Sequence, residues 1–494
     1  MPDRHKDSIV RGDTYQQIIV TLAGKGRFED SVIALRKILE EMNVEHAIIA
    51  VVEPLRATLV ELGPGENVAE VSQALIKEGV ALAAEQNRPL QASAIVNDPG
   101  YPEQWALGKI GAPSAWLRVR DIGISGPGVV VAIADTGIDA QHPDLTGALW
   151  DDGTGHHGWN FIDMNNDVYD AHGHGTELAG TIGAKSNNAI GIAGAEWPLR
   201  IMAVKFIDVR NRPTAWTGGA AIVWAVLRGA QVINTAWGVG IPYFYLRSAI
   251  QFANAFQVLV VAAAGNDGLD NDVLSTYPAS YLAGPPDYCP NLISVMASDR
   301  DDDKAWFSNY GLKRVHLGAP GIRMLTTASS FAPPPRWREY SGTSAACALV
   351  TYAAVLIKSL MPSWTPTEIR DHLIASAHPS RWLKCVAHGR LSLERAVRGA
   401  FAFTSPVTGV QWAIASSVPI TWTNHYVTGK PTTSVTIELS TNGGVSYTTF
   451  APGRPNTNSC TVIAPSAPVP AARLRLRSDQ APNLYAESDV FTVH

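Results

Sequence analysis

Only four cysteines occur in the 494 residues, Cys289, Cys347, Cys385 and Cys460. They are widely spaced and form no CxxC pair, which excludes a zinc ribbon and a dense disulfide framework and leaves four reduced thiols. Charge is also scarce. Asp, Glu, Lys and Arg make up 17% of the chain, the formal net charge is −5, and there is no long Lys/Arg run. The basic footprint of a nucleic-acid binder is missing, so nucleic acid is excluded as a partner. The opening stretch, MPDRHKDSIVRGDTYQQ, lacks an apolar core and a small-residue cleavage site. No standard secretory signal is read there, and the chain is expected to be cytoplasmic at synthesis, any export following a non-classical route. No apolar run of about 18 residues is read either, so no membrane span is expected.

What is present is the composition of a globular protein, 46% hydrophobic. A single core stops growing near about 250 to 300 residues, so two or three domains are expected. From 15 to 85 the pattern reads strand (QQIIVTL), amphipathic helix, strand (AIIAVV), strand (RATLVEL), helix and short strand (VALAAE), a βαββαβ unit. Val32, Leu35, Ile38, Leu39 and Met42 recur on one face of its first helix. Asn, Pro, Gln, Ser and Gly then mark a linker. From 128 to 400, near-continuous apolar runs (VVVAIAD, LRIMAVKFID, AQVINTAW, VLVVAAAG) alternate with helical stretches, the pattern of parallel strands buried on both faces. After 403, alternation in SVTIELS and RLRLR, with a turn at Asn442-Gly443-Gly444, reads as an antiparallel β-sandwich.

Three segments each end a strand or open a helix, and each offers one member of a nucleophilic triad: IADTGID, HGHGTELAG and SGTSAA. A serine hydroxyl needs an imidazole to take its proton and a carboxylate to fix that imidazole's tautomer. Ser344, His174 and Asp135 are the residues that would do so. Gly342 and Ala345 leave room for a peptide to approach. The tetrahedral oxyanion needs donors as well. Asn266, in VVAAAGNDG, and the backbone N–H of Ser344 at its helix start are the candidates.

At these residues the chain resembles the subtilisin family, with DTG, HGT and GTS in the order Asp, His, Ser. The resemblance runs from about 104 to 397 and includes EQWALGKIGAPSAW and AHGRLSLERAV. It implies a serine endopeptidase acting on extended peptide or protein substrates through an acyl-enzyme, with no cofactor required for catalysis. It also implies a seven-stranded parallel sheet with helices on both faces. Residues 15–91 look like the family's inhibitory prodomain, a folding chaperone that is later cut away, so the chain's own N-terminal segment is an expected partner. The expected architecture is therefore α/β: a ferredoxin-like α+β prodomain and linker over 1–95, a catalytic domain over 96–402, and a β-sandwich over 403–494 that resembles the immunoglobulin-like modules of some bacterial proteases. The cut is expected between Gln86 and Val96, with Leu90 or Gln91 before it.

By the same resemblance Ala236-Trp237-Gly238 and Ala262-Ala263-Ala264 would wall the pocket for the residue before the scissile bond, with Thr276 at its base. NTAWG departs from the usual NxSxG, because Ala236 replaces Ser. Asp163, Asn165 and Asp167 alternate oxygen donors on a loop and are the candidate Ca²⁺ ligands, an Asx-rich turn being the equal alternative. An acid peptidase of the sedolisin type shares SGTS but pairs it with Glu and places Asp in the oxyanion hole; His174 and Asn266 argue against it. Ligation uses the same triad and stays an alternative to hydrolysis.

Overall fold

The structure, a computed structural model, describes residues 17–24, 26–63, 66–86, 96–210, 212–281, 288–331, 336–398, 401–407, 409–424 and 433–494. The expected processing linker, 87–95, lies outside the described residues. Two compact units divide the chain after Ser93.

In the first unit, β1 (Gln17–Leu22) alternates so that Ile18, Val20 and Leu22 are buried on one face. α1 (Phe28–Glu41) lays Leu35 and Leu39 into the same core. β2 (His46–Val52), β3 (Ala57–Leu62), α2 (Val68–Lys77) and β4 (Ala81–Gln86) complete a four-stranded sheet of order β2-β3-β1-β4, in which β1 runs antiparallel to both neighbours.

The second unit starts with two short helices, α3 (Trp105–Ile110) and α4 (Ala112–Ile122). A strand and helix alternation follows: β5 (Val129–Asp135), β6 (Gly158–Asn160), α5 (His174–Gly183), β7 (Leu199–Lys205), α6 (Ala215–Leu227), β8 (Val232–Thr235), α7 (Phe244–Ala255), β9 (Leu259–Ala263), β10 (Leu292–Ser298) and β11 (Leu317–Pro320). Seven of these strands form a parallel run of order β11-β10-β9-β8-β5-β7-β6. Their apolar character has a direct cause. In β5, Val129, Val131 and Ile133 enter the core shared with α5, while Ala132 and Ala134 enter the core shared with α6 and α7. Burial on both faces removes the polar alternation that a half-exposed strand would show.

A hairpin, β12 (Met324–Thr327) with β13 (Trp337–Tyr340), leads to the long helix α8 (Thr343–Leu360). α9 (Pro366–Ala375), the two-residue strands β14 (His378–Pro379) and β15 (Gly389–Arg390) at the sheet edge, and α10 (Leu393–Val397) follow. α8 corrects the sequence reading on apolar runs. It has 18 residues and a mean hydropathy of 1.5, long and apolar enough to cross a membrane, yet 89% of it is buried inside the protein. It is the central core helix. Its Lys358 is accommodated because the amine donates to Pro362 O and Trp364 O, both at 2.9 Å.

The C-terminal stretch is strand-rich. β16 (Phe401–Ser405), β17 (Gln411–Trp412), β18 (Ser417–Asn424), β19 (Ser434–Ser440), β20 (Thr448–Pro455), β21 (Ser459–Ile463), β22 (Val469–Ser478), β23 (Tyr485–Glu487) and β24 (Phe491–Val493) fall into a β16-β18-β21 sheet and a larger one built on β19 and β22. Val418, Ile420 and Trp422 of the first sheet meet Ile437, Leu474 and Leu476 of the second in one core. This stretch is also anchored to the parallel-sheet region. Leu484 is fully buried in the core shared with α8, and Asn483 Nδ2 donates to Leu360 O at 2.8 Å, satisfying a carbonyl that the helix end leaves unpaired. Arg118 of α4 stacks 3.2 Å from the Tyr485 ring and donates to Tyr485 O at 2.9 Å.

Candidate active site

Asp135 is the last residue of β5 and His174 the first of α5, so a strand end and a helix start must be brought together. The small residues around them allow it. Gly175 packs so close to the loop after β5 that a Cβ there would lie 2.1 Å from Gly137 O. The adjoining threonines fasten the contact: Gly175 N donates to Thr136 Oγ1 at 2.9 Å and Asp139 N to Thr176 Oγ1 at 3.0 Å. Both motif glycines and both motif threonines therefore serve one purpose, the close approach of α5 to β5. As a result the Asp135 carboxylate, wholly buried, takes a 2.7 Å bond from His174 Nδ1. Asp170, also buried, holds the turn into α5 by accepting from His172 N, Gly173 N and Thr176 N.

Ser344 is the second residue of α8 and is 8% exposed. Its hydroxyl donates to Ala236 O at 3.0 Å rather than to an imidazole. Asn266 lies just beyond β9. Its Oδ1 accepts from both Thr343 N and Thr343 Oγ1 at 2.9 Å, which turns Nδ2 the other way. Nδ2 then faces the open side of Gly342: a Cβ at 342 would sit 3.8 Å from Asn266 Nδ2, 3.6 Å from Ser344 N and 3.9 Å from Ser344 Cβ. Two N–H groups and the serine thus border one small space, which glycine leaves empty.

The field at His174 is acidic. Burial works against charge on the ring, but the Asp135 carboxylate and its hydrogen bond, with Glu177 and Asp170 behind, outweigh it and hold the imidazole at about 9. Glu177 is itself buried on α5, where burial pushes its carboxyl up and the Arg338 guanidinium partly offsets this through an ion pair from β13. His142 is a different case. Burial lowers it first, with Asp144 N donating to its Nδ1 and Arg336 O beside its Nε2, so it is a neutral structural group. The His172 ring lies edge-on to His174, 6.3 Å between centroids.

Residues 126–403, more than half of the chain, match the subtilase family. The chain belongs to the subtilase family. It is 33% identical to Subtilisin BL of Lederbergia lenta over 294 residues, 60% of this chain and 98% of that protein. It is 36% identical to Thermitase of Thermoactinomyces vulgaris over 265 residues, 53% of this chain and 85% of the relative. Among solved structures, a protease from Pseudoalteromonas arctica superposes with a TM-score of 0.52 at 26% identity, covering 61% of this chain and 98% of that one. The protein is accordingly a serine endopeptidase of the subtilisin type.

Ala236 lies beside Ser344 through its carbonyl, and the segment that follows pairs with the Thr276 segment by bonds between Val239 and Tyr277. Thr276 Cγ2 fills the space over Gly238, where a Cβ would lie 2.6 Å away. The Trp237 indole turns inward, donating to Ala134 O at 2.9 Å and meeting Phe206 edge-on. The methyl groups of Ala262, Ala263 and Ala264 are taken up by three separate cores, because they lie on alternate faces of β9 and its exit. Asp163, Asn165 and Asp167 use their oxygens locally: they accept from Asn160 Nδ2, Asp167 N and Tyr169 N respectively, each at 3.0 Å. Among the described residues no group of three or more His, Cys, Asp or Glu side chains is placed to hold a metal ion. The three side chains thereby close an Asx-rich turn. Sequence reasoning missed Thr343 as the group that orients Asn266, and the Glu177–Arg338 pair behind His174; both are long-range contacts with no local signature.

Proposed function

We propose that Asp135, His174 and Ser344 form the catalytic triad of this endopeptidase, with Asn266 Nδ2 and Ser344 N as the oxyanion donors. The observation that carries this is the convergence of Ser344 N, Ser344 Cβ and Asn266 Nδ2 on the space over Gly342, beside a buried Asp135–His174 bond of 2.7 Å. On substrate entry the Ser344 hydroxyl leaves Ala236 O and donates to His174 Nε2. Its Oγ attacks the scissile carbonyl carbon while Nε2 takes the proton, and Asp135 stabilises the imidazolium. The carbonyl oxygen becomes an oxyanion held by the two N–H groups. Collapse breaks the C–N bond, His174 returns the proton to the leaving amine, and water releases the acyl group by the same route in reverse. No step calls on a cofactor.

His174 must be neutral to accept the proton, so activity should appear as pH rises through its ionisation. The nearby carboxylates favour the charged ring, and solvent reaches 25% of the side chain, so the midpoint should fall between 6.5 and 9. The acid limb of kcat/KM on a small peptide substrate measures it. A midpoint below 6.5 would contradict the dominance of the neighbouring carboxylates over burial at His174.

The pocket for the residue before the scissile bond is read as neutral and apolar, since Ala236-Trp237-Gly238 and Thr276 bring no charge to it. Leu, Met or Phe should be preferred there, as burying such a side chain is worth about 1.5 to 3 kcal/mol. A substrate-library profile dominated by Arg, Lys or Asp would contradict this.

The four-stranded unit is read as an inhibitory prodomain, supported by its βαββαβ order and the polar linker after it. Tethering would hold it near the cleft at high effective concentration until the linker is cut. Intact mass should show a mature chain beginning between Asn87 and Asn97 in the active enzyme and the full precursor in Ser344→Ala. Full-length protein with full activity would make the unit a permanent accessory domain. Among the described residues the sheets after 400 supply no nucleophile or base cluster, and they are assigned, as an immunoglobulin-like sandwich, to recognition and support.

A further inference from the structure

An oxyanion donor is useful only if it is aimed before the charge develops, and Asn266 stands on a loop beyond a strand end, where backbone is ordinarily more mobile. Thr343 fixes the rotation of its amide, as described above. What fixes the loop itself is a residue that neither the motifs nor the family resemblance singled out. Asn309 is wholly buried. Its Oδ1 accepts from Asp267 N at 3.0 Å and from Leu269 N at 2.9 Å. Its Nδ2 donates towards Ala264 O and Asn271 Oδ1, each at 3.1 Å, and towards Thr276 Oγ1 at 3.2 Å. Its backbone N–H donates to Gly265 O at 2.9 Å. Residues 264, 265 and 267 are thus all tied to Asn309, and only Asn266, between them, is left to face the space over Gly342.

Two further details argue that the bracing is specific. Gly265 has φ +111°, in the left-handed region that favours glycine, and a Cβ there would lie 2.5 Å from Asn309 Nδ2. The loop has therefore closed onto the amide rather than merely near it. The same Nδ2 reaches Thr276, the residue placed at the base of the specificity pocket, so one side chain links the oxyanion loop to the pocket wall. A carboxylate could not replace it, since the oxygen put in place of Nδ2 would face Ala264 O and Asn271 Oδ1 without a proton to share.

We propose that Asn309 is the positioning residue of the oxyanion loop: it does not touch substrate, and it acts on catalysis by holding Asn266 Nδ2 in aim. This rests on the reading of Asn266 as the oxyanion donor. Misplacing a catalytic group by an ångström typically costs on the order of 10²-fold in rate, which sets the effect to look for.

The test is a double-mutant cycle on the full-length protein, with the active fraction counted by fluorophosphonate titration so that misfolded molecules drop out. Asn309→Ser should lower kcat by on the order of 10²-fold with KM little changed. In an Asn266→Ala background the same substitution should lower kcat by less than about threefold, because the group it positions is already gone. Asn309→Asp, which keeps the volume and the Oδ1 acceptor, runs through the same cycle and gives the answer where the serine variant yields no titratable enzyme. An equal fold-loss in both backgrounds, or an effect confined to KM, would overturn the proposal and leave Asn309 a structural residue. If instead Asn266→Ala alone leaves kcat unchanged, the oxyanion reading fails, and that failure is read separately from the cycle.

Discussion

Ser344→Ala is expected to lower kcat on peptide substrates by on the order of 10⁶-fold, the scale of loss known for subtilisin itself when its nucleophile is removed. The size follows from the site. The proposed base, His174, is held by the bond from its Nδ1 to Asp135, which leaves Nε2 to accept the proton, and without the Ser344 hydroxyl it has no oxygen to activate except water's. KM should change little, because the hydroxyl contributes one bond, to Ala236 O, and that bond is not made to substrate. A small rate above the uncatalysed one should survive, since the space over Gly342 and its two N–H groups remain. Steady-state kinetics on a chromogenic peptide, with protein shown folded by its thermal transition, measures this. Activity within tenfold of wild type would move the nucleophile elsewhere.

Asn266→Ala is expected to give the next largest effect, a fall in kcat of about 10²- to 10³-fold, or about 2.7 to 4 kcal/mol, the range measured for the corresponding donor of subtilisin. KM should stay nearly constant, because the oxyanion that Nδ2 would meet exists only in the transition state. Asn266 also carries a structural load: its Oδ1 takes both bonds from Thr343 at the start of α8. Asn266→Asp separates the two functions, since it can keep the acceptor while losing the N–H donor, and it should lose kcat as fully as the alanine variant. A fall in kcat for alanine alone would trace the effect to the α8 start rather than to the oxyanion.

The sequence carried the parallel sheet because its strands are buried on both faces, which leaves runs such as VVVAIAD and VLVVAAAG without polar interruption. It carried the motifs because their small residues answer a local need: Gly175 must pass Gly137, and Gly342 must leave its space open. α8 was harder to read. Thr351, Tyr352, Lys358 and Ser359 break its apolar run in the sequence, yet each turns its polar atom to a partner or the helix's own carbonyls and the helix still enters the core. Contacts between distant segments were not legible at all. The bond from Asn483 to the end of α8, the Arg118–Tyr485 stack, the Glu177–Arg338 pair and the bracing by Asn309 each join residues far apart in the chain, and a lone Asn or Arg in a loop carries no pattern that announces a buried partner. The anchoring of the C-terminal strands matters for their assignment, because Leu484 completes a core that α8 also uses, so removing them exposes part of the catalytic region.

Covalent capture locates the nucleophile directly. The protein is treated with a fluorophosphonate and digested, and the modified peptide is located by mass spectrometry. One adduct is expected, on the Oγ of Ser344, absent in Ser344→Ala and formed far more slowly in His174→Ala. An adduct that persists in Ser344→Ala, or an active preparation that takes up no label, would contradict the assignment of Ser344 as nucleophile.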